Sequence, residues 1–163
     1  MITHSLSKFV GFIVLLMVTN VTFSQRVDVI SVPELQSIIN TNNDTTYVIN
    51  FWATWCKPCV EEMPYFEALH DKYEGEKVKV VLISLDFKSQ LDKRVVPFVE
   101  KRKLKPYVAL LDGGNPNDWI DLVDPSWSGA IPATLFVAGD KRKFLEQSFH
   151  DLESIETIIQ SIN

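Results

Sequence analysis

The stretch "NFWATWCKPCVEEMP", Asn50 to Pro64, carries both cysteines of this 163-residue chain, with Lys57 and Pro58 between them. Just ahead, "TYVINFW" (Thr46 to Trp52) is rich in β-branched and aromatic residues and predicts a buried strand. Just behind, Val60, Met63, Phe66, Leu69 and Tyr73 recur at helical spacing and form one apolar stripe. The pair therefore falls where a strand hands over to a helix. Cys56 stands at the helix start, and Pro58 falls in the first turn, where its missing N–H does no harm.

That position has chemical consequences. Free backbone N–H groups at a helix start favour a thiolate over a thiol. A stabilisation of roughly 2 kcal/mol would bring a thiol from ~8.5 to about 7, so near half of Cys56 would be ionised at neutral pH. Lys57 adds positive charge in the same direction. Cys59, one turn on, faces inward and can attack a mixed disulfide formed by Cys56. Two blander readings fit less well. A structural staple across two residues closes too short a loop to stabilise much. A structural zinc site needs four ligands, and after the pair only His70 and His150 remain, far apart in sequence. No metal site is expected.

Outward from the pair, the chain alternates strand-like and helix-like runs. "RVDVISV" predicts a strand and "PELQSIIN" a helix begun by Pro33. "VKVVLISL" (Val78 to Leu85) has buried-strand character, a helix is expected from about Pro97 to Lys103, and "YVALL" is a further strand. A Gly/Asn/Asp-rich loop at 112–118 precedes "ATLFVAGDKRKFLEQSF", a hairpin turning at Gly139-Asp140. Asp151 caps a last helix that buries Leu152, Ile155, Ile158, Ile159 and Ile162. Alternation followed by a hairpin and a closing helix predicts a three-layer α/β domain with a mixed sheet.

The net charge of -5 argues against nucleic acid as a partner. The short basic clusters "KRKLK" (Lys101 to Lys105) and "DKRK" (Asp140 to Lys143) read as a solvated helix end and hairpin. Residues 1–24 differ from the rest. His4 and Lys8 precede "FVGFIVLLMV", an apolar run short for a bilayer span, and Thr22 and Ser24 are small residues two apart ahead of Gln25. The expected organisation is a signal peptide over 1–24, with an uncleaved membrane anchor as the alternative, and one folded domain over 25–163. Either places the domain outside the cytosol, in the periplasm or on the membrane facing it.

The run "NFWATWCKPCVEEMP", together with the later "GAIPATLFV" (Gly129 to Val137), resembles the thioredoxin superfamily. Within it, the likeness is to exported TlpA/ResA-like thiol–disulfide oxidoreductases, and it covers about Val29 to the C-terminus. The resemblance implies a thioredoxin-like α/β/α fold, Cys56 as nucleophile and Cys59 as resolving thiol. It implies a cis Pro132 packed beside the pair, with Ile131 offering backbone groups to an extended substrate. Trp55, Lys57 and Pro58 join Ile131 and Pro132 as expected substrate contacts. No cofactor is implied beyond the pair itself. The implied partners are oxidised exported proteins and a membrane thiol donor that recharges the pair.

One departure stands out. The buried acid that thioredoxin carries on the strand before its cysteines is matched here by Asn50, which cannot accept a proton. A glutamate three residues after the second cysteine is associated with the active site in ResA-like proteins, and Glu62 matches it. Glu61 is expected to face solvent. Two rival functions remain: a thiol peroxidase of the AhpC/TSA type, which wants a lone cysteine beside Thr/Ser and Arg, and a redox-silent binding module or copper carrier.

The export reading makes a direct prediction. N-terminal sequencing of protein recovered from its native host is expected to begin at Gln25, whereas an intact Met1 in the membrane fraction would support the anchor.

Overall fold

The computed structural model describes residues 26–163. The signal-peptide reading of residues 1–24 lies outside the described residues. Six strands form one sheet: β1 (Asp28–Ile30), β2 (Thr46–Trp52), β3 (Val78–Ser84), β4 (Tyr107–Leu111), β5 (Ala133–Ala138) and β6 (Lys141–Leu145). Their spatial order is β1-β4-β3-β2-β5-β6. The first four strands in that order run parallel, while β5 is antiparallel to β2 and β6 to β5, so the sheet is mixed.

Alternate residues of each central strand enter opposite cores, which is why these strands read as continuous apolar runs. Val48, Trp52, Val80, Leu82, Val108, Leu110 and Phe136 face one side. There they meet α2 (Lys57–Lys72), α3 (Val96–Arg102) and α5 (Leu152–Ile162). Ile49, Phe51, Val81, Ile83, Leu135 and Val137 face the other, against α1 (Val32–Ile39) and α4 (Ile120–Val123). The result is the expected three-layer α/β architecture.

Local chemistry sets the helix ends. Ser31 and Glu34 close a capping box on α1, with Pro33 in its first turn. Asp151 accepts a hydrogen bond from the Ser154 N–H at 2.7 Å and starts α5 one residue later. Two features differ from expectation. The helix expected at Pro97 is led in by a 3-10 turn at Lys88–Gln90 and a π-helical turn at Leu91–Val95, and the four-residue α4 interrupts the long loop. Neither is long enough to display a helical period of its own. The outer strands are modest: β1 has three residues, and β6 begins Lys141-Arg142-Lys143, all exposed.

The core side facing α2 and α5 is tied together by aromatic contacts. Phe149 meets both Phe66 and Phe136 edge-on, with ring centroids 6.0 and 6.1 Å apart. Phe136 is fully buried. Phe136→Ala is expected to lower stability by about 3–5 kcal/mol, read as a reduced denaturant midpoint. A loss below about 1 kcal/mol would mean that this layer collapses freely around the gap.

Candidate active site

The site begins where β2 ends. The Leu85 N–H donates to the Trp52 carbonyl at 2.8 Å, so the chain leaves β2 still attached to β3. Asp86, 2% exposed, then holds the turn that follows: it accepts from the Thr54 N–H at 2.8 Å, the Thr54 hydroxyl at 2.6 Å and the Ser84 hydroxyl at 2.9 Å. This fixes residues 53–55 against the end of β3 and presents Cys56 as the N-cap of α2. Cys56 and Cys59 form a disulfide. The Cys59 N–H points at Cys56 Sγ, 3.3 Å away, which is the helix-start environment that favours a thiolate after reduction. Cys59 is fully buried, and Cys56 retains the only exposed surface of the pair, 5%.

Pro58 lies in the first turn of α2. Lys57 extends into solvent and pairs with Glu61 at 3.5 Å, both side chains mostly exposed. Its charge is therefore partly spent on Glu61 and well screened, so the helix start outweighs it as a source of thiolate stabilisation. The Ile131–Pro132 peptide bond is cis. The Ile131 carbonyl oxygen lies 3.7 Å from Cys56 Sγ. Trp55 is 60% exposed beside the pair, whereas Trp52 is fully buried in the core and packs on Phe98 at 5.0 Å.

One turn further along α2 from Cys59 sits Glu62, 1% exposed. One carboxylate oxygen accepts from the Asn50 side-chain amide at 2.9 Å, and the other from the Phe149 N–H at 2.8 Å. Burial pushes its carboxyl up to about 7, against the lowering effect of the Phe149 and Asn50 hydrogen bonds. Asn50 also donates to the Thr134 hydroxyl at 3.0 Å, a contact set up by the β2–β5 register, in which Asn50 faces Thr134. A carboxyl near neutrality on the same helix as Cys59 can hold or release a proton under physiological conditions.

Next to the pair, a cavity of about 360 Å³ opens between Trp55, Phe87, Leu111, Trp119, Ile120 and Ile131. Phe87 is 80% exposed at its edge. Gly113 lets the Trp119 indole close one wall, because a Cβ there would stand 2.6 Å from Nε1. Among the described residues, no group of three or more His, Cys, Asp or Glu side chains is placed to hold a metal ion. No helix among the described residues is long and apolar enough to cross a membrane.

Of the residues singled out from the sequence, the structure joins Cys56 to Cys59, brings the Ile131 carbonyl to Cys56 and sets Trp55 and Ile131 around one cavity; Lys57, Pro58 and Glu62 lie on α2, and Pro132 follows Ile131 through the cis bond. Sequence reasoning did not find Asp86, Thr134 or the Phe149 N–H. Asp86 had a faint signal in "SLD" closing a strand. A backbone donor such as Phe149 N–H has none.

The profile of the AhpC/TSA family matches residues 33–144. "Thiol-disulfide oxidoreductase ResA" from Bacillus thuringiensis is 42% identical over 66 residues, 40% of this chain and 36% of that protein. "Sporulation thiol-disulfide oxidoreductase A" from Bacillus subtilis is 31% identical over 71 residues, 44% of this chain and 43% of its own length. The chain thus matches less than half the length of these relatives. Among solved structures, a thioredoxin-related protein from Neisseria meningitidis serogroup B superposes with a TM-score of 0.61 at 21% identity, covering 75% of this chain and 87% of that one. A DsbF homologue from Corynebacterium diphtheriae gives 0.58 at 20% identity, with 73% of each chain covered. These superpositions show a thioredoxin-like fold.

The raised Glu62 carboxyl predicts a stability profile. An acid whose folded-state value of about 7 stands above its ordinary 4.5 binds more protons folded than unfolded. Stability is therefore greatest below the lower value and falls as pH rises through the window between them, by on the order of 3 kcal/mol at most. Urea unfolding of the oxidised protein is expected to show that decline in the wild type. Glu62→Gln is expected to flatten it. Parallel profiles for the two would mean that Glu62 ionises as it does in the unfolded chain.

Proposed function

This chain belongs to the AhpC/TSA family, and on that footing we propose that it is a thiol–disulfide oxidoreductase that reduces disulfides of exported proteins. The observation that carries the reading is the Cys56–Cys59 pair at the start of α2, above the buried Glu62. The curated relatives bearing the name thiol-disulfide oxidoreductase support the same class.

The chemistry runs through the pair alone, with no bound cofactor or metal. In the reduced protein, the Cys56 thiolate attacks one sulfur of a client disulfide. A bond forms between Cys56 and that sulfur, and the other client sulfur leaves as a thiolate. Cys59 passes its proton to the Glu62 carboxylate and attacks Cys56 Sγ. The Cys56–Cys59 disulfide forms, and the second client thiolate leaves. Two electrons have moved from the pair to the client, whose thiolates are then protonated. Cys59 needs such a base because desolvation otherwise holds its proton. Asn50 cannot serve, and Glu62 lies one turn away on the same face of α2.

The client lies along the Ile131–Pro132 edge as an extended chain, with Trp55, Lys57 and Pro58 as its further contacts. The neighbouring apolar cavity takes a side chain flanking the client cysteine. In an oxidising compartment the pair must be recharged, so a membrane thiol donor completes the cycle. The export signal read in residues 1–24 supports that setting.

A peroxidase role, which the family's name brings forward, is disfavoured by Thr54. Its hydroxyl donates to Asp86 rather than turning to Cys56.

Insulin reduction with a dithiol donor is expected to proceed, with peroxide consumption near background. Cys59→Ser is expected to trap clients as mixed disulfides through Cys56, and Cys56→Ser to trap none. Faster alkylation of Cys59 than of Cys56 at neutral pH would reverse the assignment. A reduction potential near about −120 mV, typical of strong periplasmic oxidants, would overturn the reductase direction.

A further inference from the structure

Glu62 presents an unresolved hydrogen-bonding problem. Its two oxygens are both met by donors, the Asn50 amide and the Phe149 N–H. That arrangement suits a carboxylate. A protonated acid in the same place needs an acceptor for its own O–H, and a buried donor facing a donor is costly. The Phe149 N–H is backbone and cannot become an acceptor. The Asn50 amide can, because its two ends differ in kind. Its other end, Oδ1, is buried without a hydrogen-bond partner. A carbonyl oxygen left free in this way is available to accept from the acid when it is protonated.

We propose that Asn50 and Thr134 are positioning residues for Glu62: the Asn50 amide turns over when Glu62 takes the Cys59 proton, and the Thr134 hydroxyl holds the amide in both settings. This rests on the reading of Glu62 as proton acceptor in the reductive cycle. In the observed setting, Nδ2 donates to Glu62 and to the Thr134 hydroxyl. In the turned setting, Oδ1 accepts from the Glu62 O–H and from the Thr134 O–H. Two hydrogen bonds are made each way, and one end of the amide is unmet each way, so the turn loses no bond. A hydroxyl is the group this requires opposite Asn50, since it both donates and accepts. The proton balance is simple. Cys59 Sγ–H loses the proton, Glu62 gains it, and Glu62 releases it to the departing client thiolate or to solvent.

The surroundings leave this exchange to the amide. On α2 the titratable neighbours are Cys56, Cys59 and Glu61, and Glu61 is turned outward to Lys57. β2 and β5 contribute the uncharged Asn50 and Thr134, and the segment before α5 contributes the Phe149 N–H, with the exposed His150 next in sequence.

The test uses the reduced protein and no client, so its result is independent of whether clients are reduced. The Glu62 carboxyl carbon and the Asn50 side-chain amide are followed by NMR from about pH 5 to 9. Cross-relaxation between the Asn50 Nδ2 hydrogens and Thr134 is expected to be strong above the Glu62 midpoint. Below it, the signal is expected to fall several-fold, with the same midpoint as the carboxyl. An amide that keeps its contacts while Glu62 titrates overturns the proposal, as does a Glu62 that keeps one protonation state throughout. In turnover, Thr134→Val is expected to slow resolution of a Cys56-linked mixed disulfide several-fold and to displace its pH midpoint, with Thr134→Ser restoring both. An unaltered pH profile in Thr134→Val also overturns it. A turning amide in a protein that reduces no client disulfide would instead remove the reductase reading.

Discussion

A buried carboxylate with no cation beside it among the described residues constrains the whole active side of this molecule. Glu62 is out of water, and its oxygens must be satisfied by groups brought from elsewhere in the chain. One comes from the middle of β2 and the other from the segment that leads into α5, 87 residues away. The sheet, the reactive helix and the closing helix are thereby tied at one point. The aromatic cluster of Phe66, Phe136 and Phe149 packs around the same junction and keeps it dry. Dryness is also what raises the acid toward neutrality, so packing and proton chemistry share a cause.

A second buried acid works differently. Asp86 meets one N–H and two hydroxyls, and it serves to hold the Thr54 turn in place. Together the two acids fix the pair from either side: Asp86 from the chain entering Cys56, and Glu62 from below the helix that leaves it. Precise placement matters because thiol exchange requires the attacking and departing sulfurs to line up. The cavity beside Ile131 adds an apolar wall next to the Ile131 carbonyl that approaches Cys56.

Much of this was legible in the residues. β2 reads correctly to its ends because both of its faces are buried and β-branched and aromatic residues flank Asn50 on either side. The helix start at Cys56 follows from the change of period and from Pro58. The β5–β6 hairpin announces itself at Gly139-Asp140. The short α4 and the π turn before α3 do not, since neither spans enough residues to show a period. At the site, adjacency in sequence made Cys56, Cys59 and Glu62 visible. Asn50 was visible as a missing acid, yet its part as a donor depends on pairing with a strand 84 residues later. The Phe149 N–H carries no residue-type signal at all. What escaped was the set of partners joined by tertiary contact.

The outer strands bear on the company such a protein keeps. An open sheet edge carries unpaired backbone groups, and any extended chain nearby can stack on it. Here β6 offers Lys141, Arg142 and Lys143 along its exposed length, and β1 is only three residues long. A charged edge and a stubby one are poor templates for further strands. Other extended segments are thus discouraged from adding to the periphery. The sheet is thereby kept from seeding aggregation through its own edges.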